Sequence, residues 1–101
     1  MAVYNQVKWF GVKPTVKTAE TPADKASITT SATQILAAND DRTSFIIKNT
    51  GSVTVYIRFG SNVSTDDFPL EPGEALVCDD YTGEVYGIVA SSVGEVRIIE
   101  V

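Results

Sequence analysis

The chain has 101 residues, enough for one domain, with 44% hydrophobic and 21% charged residues and a net charge of −5. Histidine is absent and cysteine occurs once, which removes Ser-His-Asp and Cys-His catalysis, the usual zinc sets and an internal disulfide. No apolar run approaches the roughly 20 residues of a membrane span, and Met1 to Phe10 lack the basic and apolar regions of a secretory signal.

Residues 1–25 read as an extended arm. They hold four lysines (Lys8, Lys13, Lys17, Lys25) against Glu20 and Asp24, a net +2, and they contain Gly11, Pro14 and Pro22 without sustained periodicity. Tyr4, Trp9 and Phe10 are large apolar anchors, residues in which disordered tails are poor. Burying Trp9 and Phe10 would contribute about 1.5–3 kcal/mol each. Two placements follow: the anchors pack on a neighbouring subunit, or the arm adds a strand to its own sheet and Trp9 caps the core. Residues 26–101 carry four basic residues against eleven acids, a net −7. That balance disfavours a nucleic-acid surface, which needs clustered Lys and Arg.

From residue 26 the chain predicts β structure. Ala26 to Thr30 and Ala32 to Leu36 are short candidate strands, and Ala38 to Asp41 is a turn. Thr43 to Lys48 and Val53 to Phe59 predict a hairpin around Asn49-Thr50-Gly51-Ser52, with Gly51 free to take positive φ. In the second arm Val53, Val55, Ile57 and Phe59 alternate with Thr54, Tyr56 and Arg58, the period of a half-buried strand. Gly60 to Asp67 is a polar loop, and Pro72-Gly73 suits the centre of a type II turn before a strand from Glu74 to Cys78. Glu84 to Ala90 and Glu95 to Val101 predict a second hairpin. Short strands at this spacing indicate one antiparallel β-sandwich or barrel over residues 26–101.

The residues offer little chemistry. Cys78 sits in a strand beside Asp79-Asp80, whose charges raise a thiol pKa, and reads as a packing residue. Asp40-Asp41, Asp66-Asp67 and Asp79-Asp80 read as solvated turn acids, with a calcium site only if loops converge. Glu84 and Glu95 lack any mark of a glycosidase pair. Arg42 reads as a structural partner for a carboxylate. Tyr56 and Arg58 share the strand face opposite the apolar one, a composition found at interfaces.

Thr33 to Arg42, Phe45 to Asn49 and Val55-Tyr56-Ile57-Arg58-Phe59-Gly60, continued by Leu70-Glu71-Pro72-Gly73-Glu74 and Tyr81 to Ile88, resemble small structural proteins of tailed bacteriophages. The resemblance covers about residues 32–101. It implies a jelly-roll-like β-sandwich with no catalytic residue, cofactor or metal. It also implies a capsid decoration (cement) protein, often a homotrimer, made in the host cytoplasm and held on the outer virion surface. Its partner would be the major capsid protein, with no nucleic acid or membrane. The alternative is a receptor- or carbohydrate-binding module of a fibre or tail, with Tyr56, Tyr81 and Tyr86 as stacking faces.

Overall fold

The computed structural model describes residues 24–101, which form eight strands and no helix. The strands are β1 (Asp24–Ile28), β2 (Thr33–Leu36), β3 (Ser44–Asn49), β4 (Val55–Arg58), β5 (Phe68–Leu70), β6 (Ala75–Asp79), β7 (Val85–Ile88) and β8 (Gly94–Glu100). Two antiparallel sheets, ordered β1-β8-β3-β6 and β2-β7-β4-β5, pack face to face. The pairings nest. β4 pairs with β5, β3 with β6, β2 with β7 and β1 with β8, while β3·β8 and β4·β7 close each sheet. This is the strand order of a jelly roll, two Greek keys rolled together. The expected all-β sandwich is the fold observed.

Alternation builds the core. Phe45 and Ile47 of β3, Val96 and Ile98 of β8, Val55 and Ile57 of β4 and Val85 of β7 are all buried between the sheets. In β2 both Ile35 and Leu36 are buried, because the register against β7 shifts between Gln34 and Leu36. The bulge turns two consecutive side chains inward.

Both expected hairpins are corrected. β3 and β4 lie in different sheets, so residues 50–54 cross the sandwich instead of joining paired strands. β7 and β8 are likewise in different sheets. The physical reason is common to both cases. Each strand has one apolar face, and those faces meet across the core as readily as edges meet in a ladder. A five-residue connection permits either arrangement. The one pairing of consecutive strands is β4 with β5, joined by the long loop 59–67, and β5 was not expected as a strand.

Two glycine positions differ in what they require. Gly73 takes φ +87° and Glu74 N donates to Glu71 O at 2.9 Å, which confirms the Pro72-Gly73 turn. Gly51 does not take a positive φ. It is needed for space, since a Cβ there would lie 2.9 Å from the Glu95 backbone nitrogen.

Buried polar groups fix the two ends of the sandwich. Asn49 is fully buried. Its Nδ2 donates to Val53 O at 2.9 Å and Leu70 O at 2.8 Å, and its Oδ1 accepts from Gly51 N at 3.0 Å. Arg42 holds the other end. Nε donates to Glu100 Oε2 at 2.8 Å, Nη1 to Tyr81 O and Gly83 O, and Nη2 to Ala37 O at 2.6 Å. The guanidinium lies 5.4 Å over the Phe45 ring. Arg42 has the carboxylate partner and the structural place expected of it.

Candidate functional site

The outer face of the β2-β7-β4-β5 sheet carries the two residues expected at an interface. Tyr56 lies opposite Ile88 and Pro69, and Arg58 opposite Tyr86. Tyr86 in turn lies opposite Gln34, whose Nε2 donates to the Tyr86 hydroxyl at 3.4 Å. Alternation puts all of these on the side away from the core. Arg58 is not free for a partner. Its Nε donates to Asp67 Oδ1 at 2.9 Å, closing the loop after β4. Asp67 also accepts from Ser64 N at 2.7 Å. That backbone bond and then the Arg58 guanidinium hold its carboxyl below the usual range, against a partial desolvation. Asp67 is therefore a loop-closing residue, not a solvated turn acid.

The tyrosines expected as sugar-stacking faces divide. Tyr56 and Tyr86 share the sheet face. Tyr81 stacks on Phe59 with centroids 4.6 Å apart, and its hydroxyl donates to Glu84 O at 2.7 Å. It is part of the β6–β7 connection and leaves the platform.

The outer face of the β1-β8-β3-β6 sheet holds a feature that sequence reading missed. Lys25 lies opposite Arg97, and Arg97 opposite Lys48, so three cations form one row across three strands. The next row is apolar: Ile99 opposite Ile46, and Ile46 opposite Val77. These three are the exposed large apolar residues of the sheet, at 37%, 36% and 64%. Of the five cations in residues 24–101, Arg42 is buried and Arg58 is paired with Asp67. The remaining three are this row, and only Lys25 has an ion-pair partner among the described residues, Glu95 at 3.7 Å. The signal was present as Lys48, Arg97 and Lys25, but only strand register aligns residues so far apart in sequence.

The third feature is an open edge where β5 and β6 meet. A concavity of about 340 Å³ is lined by Ile57, Arg58, Phe59, Asp67, Phe68 and Leu76. Phe59 and Phe68 are 43% and 57% exposed, so Phe59 is not the core residue its alternation suggested. Phe59 also meets Phe45 edge-on at 5.8 Å, which connects the concavity to the core. Cys78, on the inner face of β6, packs against the core. Burial and then Asp79 and Asp80 push its thiol up, which makes it a poor nucleophile.

The acidic pairs do not converge. Among the described residues no group of three or more Asp, Glu or Cys side chains comes together to hold a metal ion. Glu84 precedes β7 and Glu95 lies in β8, in opposite sheets. The arm anchors Tyr4, Trp9 and Phe10 lie outside the described residues. No protein-family model, curated protein or solved structure matches the chain.

Proposed function

We propose that the protein is a non-enzymatic virion structural protein of a tailed bacteriophage. It decorates the capsid as a homotrimer and stabilises it by binding at junctions between major capsid subunits. The observation that carries this reading is the outer face of the β1-β8-β3-β6 sheet. An apolar row (Ile46, Val77, Ile99) beside a cationic row (Lys25, Lys48, Arg97) gives the sheet a contact surface for an acidic, partly apolar partner. The motifs of residues 32–101 from which the resemblance to phage structural proteins was read motivate it. So does the strand order, since jelly rolls are common in viral capsids. Each bound copy adds association free energy to the lattice. The mechanism is mechanical and uses no titrating group.

Expanded capsids should survive heating to a higher temperature with this protein than without it. Val77→Asp should abolish both binding and protection while leaving the unfolding midpoint of the isolated protein nearly unchanged, because Val77 is 64% exposed. Capsids that neither bind the protein nor gain heat resistance would overturn the reading.

One observation favours a second reading. Tyr56 and Tyr86 lie on one face, and Gln34 is bonded to Tyr86. That gives a small aromatic-polar platform for a glycan of a fibre or tail receptor. Selective signals on a glycan array, lost in Tyr56→Ala and Tyr86→Ala, would replace the capsid reading.

A further inference from the structure

The mouth between β5 and β6 is an unfilled end of the core with an unprotected strand beside it. Ile57 and Phe68 are paired across β4 and β5, and Leu76 lies opposite the buried Ile47. All three face the interior of the sandwich, yet Phe68 is more than half exposed. β6 pairs only with β3 among the described strands. Its other edge runs Ala75-Leu76-Val77-Cys78 before the first charge at Asp79. Edge strands are normally blunted by charge, proline or short length. β1 begins Asp24-Lys25, β5 is three residues with Pro69, and β2 has four residues with Gln34. β6 has only the charge of its terminal Asp79, no proline, and is longer than β2 or β5.

We propose that this mouth and edge are the seat of the chain's own segment Val7-Lys8-Trp9-Phe10, added as a strand beside β6 with the Trp9 indole in the concavity. Three observations choose this occupant. The first is reach. Asp24 lies opposite Ile98, Ile98 opposite Ile47, and Ile47 opposite Leu76, so the first described residue and the floor of the mouth share one cross-strand row. That row is three strand spacings long, about 14 Å. Fourteen residues separate Trp9 from Asp24, a span of about 45–50 Å when extended. The second is charge. Residues 1–23 carry Lys8, Lys13 and Lys17 against Glu20. Arg58 and Asp67 line the mouth as an ion pair, Asp66 adjoins it, and β6 ends in Asp79 with Asp80 next, so the charge left beside the mouth and edge is negative. The third is pattern. In an added strand alternate residues face opposite sides, so Val7 and Trp9 enter the mouth while Phe10 falls on the outer face with Val77. A tethered segment acts at millimolar effective concentration, which favours the subunit's own seat over a partner's. The inference does not rest on the capsid-binding reading and stands or falls without it.

Trp9 is the only tryptophan, so the whole chain reports on this site directly. In the native protein its emission is expected to be blue-shifted from that of the urea-unfolded chain, with collisional quenching by acrylamide several-fold weaker. Neither should change on serial dilution. Phe68→Ser and Leu76→Asp are expected to move the emission to the unfolded-chain value while the far-ultraviolet circular dichroism stays that of β-sheet. An engineered pair, Trp9→Cys with Phe68→Cys in a Cys78→Ser background, should form an intrachain disulfide under mild oxidation. This second measurement decides the matter if a mouth variant fails to fold. Native emission equal to that of the unfolded chain overturns the proposal, as does blue-shifted emission that the mouth variants leave unchanged. Emission that reverts on dilution, or an interchain disulfide, overturns it in favour of a second copy's arm.

Discussion

Removing the Arg42 guanidinium would strand three carbonyls, those of Ala37, Tyr81 and Gly83, and leave Glu100 without its cation. The side chain is completely buried while Glu100 is 31% exposed, so the ion pair is shielded on one side only. Breaking a buried pair by deleting one partner costs about 3–5 kcal/mol. Arg42→Ala is therefore expected to lower the stability of the isolated protein by that amount, read as a shift in the urea midpoint at constant slope. Arg42→Lys keeps the charge but lacks the planar fork, and should recover only part of the loss. Asp67 gives a prediction in pH. Its carboxyl is held below the ordinary range in the folded state by the Ser64 N–H and then by Arg58. Its contribution is complete above the unfolded carboxylate pKa of about 3.9 and is lost as pH falls through the lower folded value. Asp67→Asn should flatten this part of the acid limb in urea midpoints measured from neutral pH to about pH 3. An acid limb identical in both proteins would show that the loop bonds contribute nothing.

The connection between β3 and β4 shows what could be read from the sequence and what could not. The end of β3 was legible near Asn49-Thr50-Gly51-Ser52, though not as the hairpin turn with a positive φ at Gly51 that was expected, and the alternation of Val55 and Ile57 correctly gave the buried face of β4. The pairing was not legible, because alternation reports which side of a strand is apolar and says nothing about which strand lies beside it. The buried Asn49 carries the distinction. An asparagine at a hairpin tip faces water, whereas this one is enclosed and bonds Val53 of the crossing and Leu70 of the facing sheet. The cationic row of Lys25, Arg97 and Lys48 was illegible for the same reason, since it exists only through the β1·β8·β3 register. The turn at Pro72-Gly73 was legible because its signal is complete within two residues. Asn49→Asp tests the crossing. It replaces the amide that donates to two buried carbonyls by a group that repels them, while Asn49→Ala only leaves them unpaired. Leaving a buried group unsatisfied costs about 1–3 kcal/mol each. The expected order of stability in urea unfolding is wild type, then Asn49→Ala, then Asn49→Asp.

At the scale of the whole molecule, charge is sided. Residues 24–101 carry twelve acids and five bases, and three of those bases form one row on one sheet. The face bearing that row is therefore locally positive on an acidic body, and its attraction to an acidic partner should be electrostatic at long range and apolar at contact. These two components can be separated by salt. The screening length falls from about 10 Å at 0.1 M to about 3 Å at 1 M, which weakens contacts of exposed charges and leaves apolar burial intact. In co-sedimentation with expanded capsids, a Lys48→Glu/Arg97→Glu double variant should bind weakly at low salt and approach the wild type at high salt. Val77→Asp should fail to bind at either salt concentration. The acidic body makes the sign informative: reversing two of the three bases of the row leaves that face with the charge of the rest of the surface. If the double variant and the wild type bind alike at low salt, this sheet is not the contact surface, and the Tyr56–Tyr86 face of the opposite sheet becomes the one to test.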